Sequence, residues 1–116
     1  MYDHIGLRVK DAGASGRFFE AALKPLGYVA NESRTGFGPP GAPALWLHEA
    51  KKAGGGVHVA FVAKDRKAVD AFHAAALKAG AKDNGKPGLR EDYAPTYYAA
   101  FVIDADGNNV EAVCMK

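Results

Sequence analysis

The stretch His4-Ile-Gly-Leu-Arg-Val-Lys-Asp11 lies over His58-Val-Ala-Phe-Val-Ala-Lys-Asp65 when the chain is shifted by 54 residues onto itself. The same shift carries Ala14, Phe18, Ala21, Ala22, Leu23 and Lys24 onto Ala68, Phe72, Ala75, Ala76, Leu77 and Lys78, with no gap from residue 4 to 24. A fixed internal period is read before any local pattern, because it decides how many copies of a unit the chain must pack. Two copies of one unit therefore organise these 116 residues.

Each copy opens on a strand. Ile5, Leu7 and Val9 alternate with His4, Gly6 and Arg8, and Val57, Val59 and Phe61 alternate with His58, Ala60 and Val62. A period of two gives each strand one apolar face. Asp11 and Asp65 follow as N-caps, since a carboxylate there accepts from free N–H groups of the first helical turn and suits the positive end of the dipole. Phe18, Ala22 and Leu23, and then Val69, Phe72, Ala76 and Leu77, recur at helical spacing and form a core-facing stripe on each helix. Pro25 with Gly27, and Gly80, end the helices.

Further strands are expected near Leu26–Asn31 and Ala44–Glu49, around a poorly marked middle strand in the Gly36–Pro43 region. A short one is expected at Ala81–Asn84, and clear ones at Tyr97–Ile103 and Asn109–Met115. The last two flank Asp104-Ala-Asp-Gly-Asn108, a hairpin signal. Gly54-Gly-Gly56 joins the halves; it lacks the Lys-Ser/Thr of a phosphate loop and reads as a connector. The fold expected is α+β: two βαβββ modules, about 1–53 and 56–116, within one domain. Amphipathic helices cover the apolar, outer side of a curved mixed sheet, and the other face lines a cleft.

Composition narrows the function. A net charge of +2 and scattered basic residues make nucleic acid a poor partner. The longest apolar run, Tyr97–Ile103, is far below the roughly 18 residues of a membrane span, and Met1 runs straight into a strand, so a cytoplasmic location is expected. The single Cys114 allows no internal disulfide and no cysteine zinc cluster; it falls on the apolar parity of its strand.

His4 and His58 occupy equivalent positions on the faces turned away from the helices, and Glu111 is a carboxylate amid apolar neighbours in the last strand. A carboxylate in such company needs exposure, a basic partner or a metal. Two imidazoles and one carboxylate suit a divalent ion, zinc or one of iron, manganese, cobalt and nickel, with positions left open. Around them, Arg8, Trp46 and Tyr93 are candidates to line a substrate pocket, and His48, Tyr98 and Arg90 to take part in chemistry. The irregular Asn84–Pro95 segment has the makings of a lid. His73 is expected to be a partly exposed helical residue.

Asp3-His-Ile-Gly-Leu-Arg-Val9, Gly56-Val-His-Val-Ala-Phe61 and Tyr97-Tyr-Ala-Ala-Phe-Val-Ile-Asp-Ala-Asp-Gly-Asn-Asn-Val-Glu111 together resemble the vicinal oxygen chelate superfamily. That group includes glyoxalase I, extradiol dioxygenases, fosfomycin-resistance transferases and metal-free bleomycin-binding proteins, all built from paired βαβββ modules. The resemblance implies that His4, His58 and Glu111 match the family's metal ligands. Where glyoxalase I has a carboxylate ligand in the last strand of the first module, this chain has Trp46. The resemblance therefore implies the three-ligand set of the dioxygenase and transferase branches. It further implies a small-molecule substrate with two neighbouring oxygens, and a homodimer. The alternative it allows is a metal-free binding or resistance protein of the bleomycin-binding type, with Trp46, Tyr98 and Tyr93 as an aromatic cleft.

Overall fold

The computed structural model describes residues 1–116. The chain forms β1 (Ile5–Val9), α1 (Ala12–Leu23), β2 (Val29–Ala30), β3 (Gly36–Gly38) and β4 (Leu45–Glu49). It then repeats the order as β5 (His58–Val62), α2 (Arg66–Lys78), β6 (Lys82–Leu89), β7 (Tyr98–Ile103) and β8 (Asn109–Cys114). Both modules start by the same device. The Asp11 carboxylate accepts from Ala14 N–H at 3.0 Å and the Asp65 carboxylate from Ala68 N–H at 2.8 Å. One orphan donor of each first turn is thereby satisfied. A 3-10 turn at Lys24–Leu26 closes α1 on Gly27, whose φ of 86° is a left-handed conformation that glycine adopts without strain.

The strands form two four-stranded sheets, ordered β1-β4-β3-β2 and β5-β8-β7-β6. In each the first strand pairs in parallel with the last, and the other pairings are antiparallel. The sheets are thus mixed. Sequential strands suggest antiparallel neighbours, but the helix crossing after β1 and β5 returns the last strand of each module parallel to the first. The two sheets do not close on one another in the single chain, and β1 and β5 each keep one free edge.

One core draws on both modules. Leu7, Val9, Leu45 and Leu47 of the first sheet and Ala100, Val102, Val110 and Ala112 of the second are buried, together with Phe19, Leu23, Val69 and Phe72 of the helices. Each such large side chain withdrawn from water contributes about 1.5–3 kcal/mol. Cys114 is part of this core, as its parity requires.

Three local expectations are corrected. His73 is buried, not exposed: it stands where Phe19 stands in α1 and completes the stripe Val69, Phe72, His73, Ala76, while Leu77 turns partly outward. Its Nε2 meets the Asp83 carboxylate at 2.9 Å, which satisfies the polar ring. The short strand expected at Ala81–Asn84 is eight residues long, Lys82–Leu89, with register shifts at Gly85. Its Pro87 is tolerated because β6 is an edge strand with no ladder to donate to on one side. The irregular segment is consequently shorter than Asn84–Pro95 and runs only between β6 and β7.

Candidate functional site

The face of the second sheet turned away from the helices is set by the β7–β8 register. Phe101 lies opposite Glu111 and Ile103 opposite Asn109, so Ala99, Phe101 and Ile103 share a face with Asn109, Glu111 and Val113. His58 and Ala60 of β5 lie alongside them, since Asn109 and Glu111 are their parallel partners.

On this face Glu111 is only 1% exposed, and each carboxylate oxygen has a partner. Oε1 lies 2.7 Å from His58 Nε2. Oε2 accepts from the Tyr97 hydroxyl at 2.5 Å. The His58 side chain is 54% exposed, so its imidazole bridges solvent and the buried carboxylate. Burial first, then the hydrogen bond to Glu111 and the charge behind it, push the Tyr97 phenol up to about 12. Tyr97 therefore keeps its proton and remains a donor.

The segment after β6 covers the same face. The Arg90 guanidinium lies 5.3 Å over the Phe101 ring and donates to the Lys86 carbonyl at 2.6 Å. The Tyr93 ring meets Tyr97 edge-on at 5.0 Å. The imidazole of His58 lies 6.3 Å from Phe101 on the other side. Four candidates read from sequence, His58, Glu111, Arg90 and Tyr93, are thus gathered around Phe101 and Tyr97.

The remaining candidates lie elsewhere. Arg8 and His48 are register partners across β1 and β4, with Trp46 next on the same face of the first sheet. The His48 ring lies over Gly6 and the Trp46 ring over Gly36, where a Cβ would come within 2.6 Å of the indole. Glycine at 36 is what lets the tryptophan lie flat on its sheet. His4 pairs with the neighbouring Asp3 carboxylate at 2.6 Å. It sits on the rim of a crevice of about 290 Å³ between Tyr28, Phe37 and the Val59–Val62 strand, not beside His58. No three metal-ligating side chains gather within the single chain.

Tyr98 falls on the opposite face, its hydroxyl donating to Asp70 of α2 at 2.6 Å and its ring packed on Arg66. That bond to Asp70 is the main reason its phenol is pushed above its ordinary value. Its neighbour Tyr97 occupies the place at Glu111 that the sequence reading had passed over. The signal was available: Tyr97 has the parity of Ala99 and Phe101, and the Asp104–Asn108 turn sets Phe101 against Glu111. Glu49 was also missed; its carboxylate accepts from Ala12 N–H at 2.9 Å and ties the end of β4 to the start of α1.

The donor set fits a divalent ion in kind. An imidazole nitrogen and a carboxylate oxygen, both ligand types for such an ion, lie 2.7 Å apart in a hydrogen bond, and the carboxylate is buried in an apolar strand environment.

Comparison with known proteins bears on the whole chain. The family model of the Glyoxalase/Bleomycin resistance protein/Dioxygenase superfamily matches residues 2–112. A glyoxalase/bleomycin resistance protein from Albidiferax ferrireducens T118 is similar at 28% identity and a TM-score of 0.82, over 100% of this chain and 99% of that one. A glyoxalase/bleomycin resistance protein/dioxygenase family enzyme from Burkholderia phytofirmans PsJN shares the fold at 16% identity and a TM-score of 0.75, over 98% of each chain. A hypothetical protein from S. aureus does so at 20% identity and a TM-score of 0.70, over 98% of this chain and 95% of that one. No curated protein matches the sequence.

Proposed function

Because the chain belongs to the Glyoxalase/Bleomycin resistance protein/Dioxygenase superfamily, we propose that it is a metal-dependent enzyme acting on a small substrate with two neighbouring oxygens. The observation that carries this reading is the pair His58 Nε2 and Glu111 Oε1, 2.7 Å apart, with the carboxylate 1% exposed. A buried carboxylate costs several kcal/mol of desolvation, and a site that keeps one in an apolar sheet face has a use for it. When bound, a divalent ion of zinc, iron, manganese, nickel or cobalt would supply Lewis acidity toward the substrate oxygens.

In this reading His58 and Glu111 hold the ion, and His4 is the third ligand. Since His4 lies apart from the pair in one chain, we assign its contribution to a second copy, so that the working unit is a homodimer. Phe101 forms a floor beside the pair, and Arg90, already stacked on that ring, attracts a developing negative charge. Tyr93 closes one side. Arg8, Trp46 and His48 form the opposite wall, with His48 as the proton acceptor and Trp46 as a surface for a flat substrate. The enzyme acts in the cytoplasm; no helix is long and apolar enough to cross a membrane. Lyase, isomerase, transferase and dioxygenase chemistry all begin from such a site, and the fold does not select among them.

One observation favours a second reading. The His58–Glu111 bond is complete without an ion, as it would be in a metal-free binding protein of the bleomycin-binding type. Metal analysis of the purified protein separates the two, with His58→Ala and Glu111→Ala beside it and the mass of the assembly measured in parallel. Near-stoichiometric metal in a dimer, lost in both variants, is expected. Metal at trace levels in the unsubstituted protein, with small-molecule binding that a chelator leaves unchanged, refutes the enzyme reading.

A further inference from the structure

We propose that Tyr97 is a positioning residue for Glu111: by engaging Oε2 it leaves only Oε1 on the His58 side, so the carboxylate offers an incoming divalent ion a single oxygen. This rests on the metal reading above and deepens it, because a one-oxygen carboxylate leaves coordination positions free for two oxygens of a substrate.

The geometry supports it from both ends. Glu111 is only 1% exposed, and its two oxygens are divided between two partners, His58 of β5 at 2.7 Å and Tyr97, just before β7, at 2.5 Å. A hydroxyl donating to a carboxylate oxygen is a strong kind of hydrogen bond, and it restricts the rotation of the carboxylate about its last bond. A glutamate binding through both oxygens would have to break it.

Tyr97 is itself held. Its carbonyl accepts from Arg90 N–H at 2.7 Å and its N–H donates to the Ala94 carbonyl at 3.2 Å, closing the Arg90–Tyr97 segment into a compact strap. The Tyr93 ring stands edge-on against it at 5.0 Å and 81°. A phenol has two side-chain torsions to immobilise, and here sheet register, strap and a neighbouring ring restrict them. Groups that orient a ligand without touching the ion commonly account for about 10–100-fold in metal affinity.

The test is Co²⁺ binding to the full-length chain, read by competition with a chromophoric chelator and by the visible absorption of the bound ion. Tyr97→Phe removes the hydroxyl and keeps the ring. We expect its Co²⁺ affinity to fall about 10–100-fold, with a weaker visible band as the freed Oε2 adds a ligand. Tyr93→Ala, at a residue 65% exposed that the fold does not depend on, loosens Tyr97 and should lower affinity about two- to tenfold. Should Tyr97→Phe not fold, Tyr93→Ala carries the test alone. Failure of the unsubstituted protein to bind Co²⁺ overturns the metal reading and this proposal with it. Binding by the unsubstituted protein, with affinity and spectrum unchanged in the folded variants, overturns the role of Tyr97 and leaves the metal reading standing.

Discussion

Replacing Glu111 by methionine should leave the metal-free protein about as stable as before, which is the signature of a side chain kept for use. Glu111 lies between Phe101 of β7, 9% exposed, and Ala60 of β5, so a methionine of similar length faces apolar neighbours. The carboxylate gains two charge-assisted hydrogen bonds, worth about 1.5–3 kcal/mol each. Against them stands a burial penalty of several kcal/mol for the ion. Of the partners left behind, the His58 side chain is 54% exposed and reaches water, while the half-buried Tyr97 hydroxyl loses its acceptor at a cost of about 1–3 kcal/mol. Each extra buried methylene equivalent adds about 0.8 kcal/mol. These terms nearly cancel, and the net expectation is a change of no more than about 1 kcal/mol. Urea unfolding with a chelator present is the assay, since bound metal would add its own stabilisation. With a slope of about 1–3 kcal/mol/M, the midpoint should move by no more than roughly 0.3–1 M at unchanged slope. A loss of more than about 2 kcal/mol would refute the reasoning, because Glu111 would then be a structural tie between β5, β8 and the strap.

Gly36→Ala should displace the Trp46 ring, since the added carbon would lie 2.6 Å from it; a cost of about 1–3 kcal/mol and a shift in the emission of this sole tryptophan are expected, and unchanged emission would count against the packing. Asp11→Ala and Asp65→Ala should each cost about 1 kcal/mol in thermal or urea unfolding, and the two losses should add, because the caps serve separate helices. In a spectrophotometric titration of the metal-free protein, one of the five tyrosines should ionise near 12, and Tyr97→Phe should remove that step. The folded value is raised above the ordinary 10.0, so the stability it contributes is present below pH 10 and is lost as pH rises toward 12. Alkaline unfolding that is the same for Tyr97→Phe and the unsubstituted protein would contradict this.

The legible part of the fold lay in local chemistry. Asp11 and Asp65 cap helices because a carboxylate needs only the next three residues to do so, and Ile5-Leu7-Val9 and Val59-Phe61 face the core because period two is a property of the strand itself. The duplication, the two helices, the hairpin at Asp104–Asn108 and the open-face placement of His58 and Glu111 follow from such short-range rules. What sequence left open depends on distance across the chain. That β4 returns parallel to β1, and β8 to β5, is decided by where a whole module folds back.

The site divides along the same line. Sequence alone identified His4, His58 and Glu111 as the chain's candidate ligands, and placed Arg90 and Tyr93 near them. Tertiary structure brought His58 to 2.7 Å from Glu111 and left His4 beside Asp3 on another rim, because equivalence in a repeat sets which face a residue is on but not how the two sheets sit together. It also exchanged Tyr98 for Tyr97. One residue of register turns a strand side chain from one face to the other, so the tyrosine that reaches the carboxylate and the one that reaches Asp70 are neighbours in sequence and lie on opposite sides of the sheet.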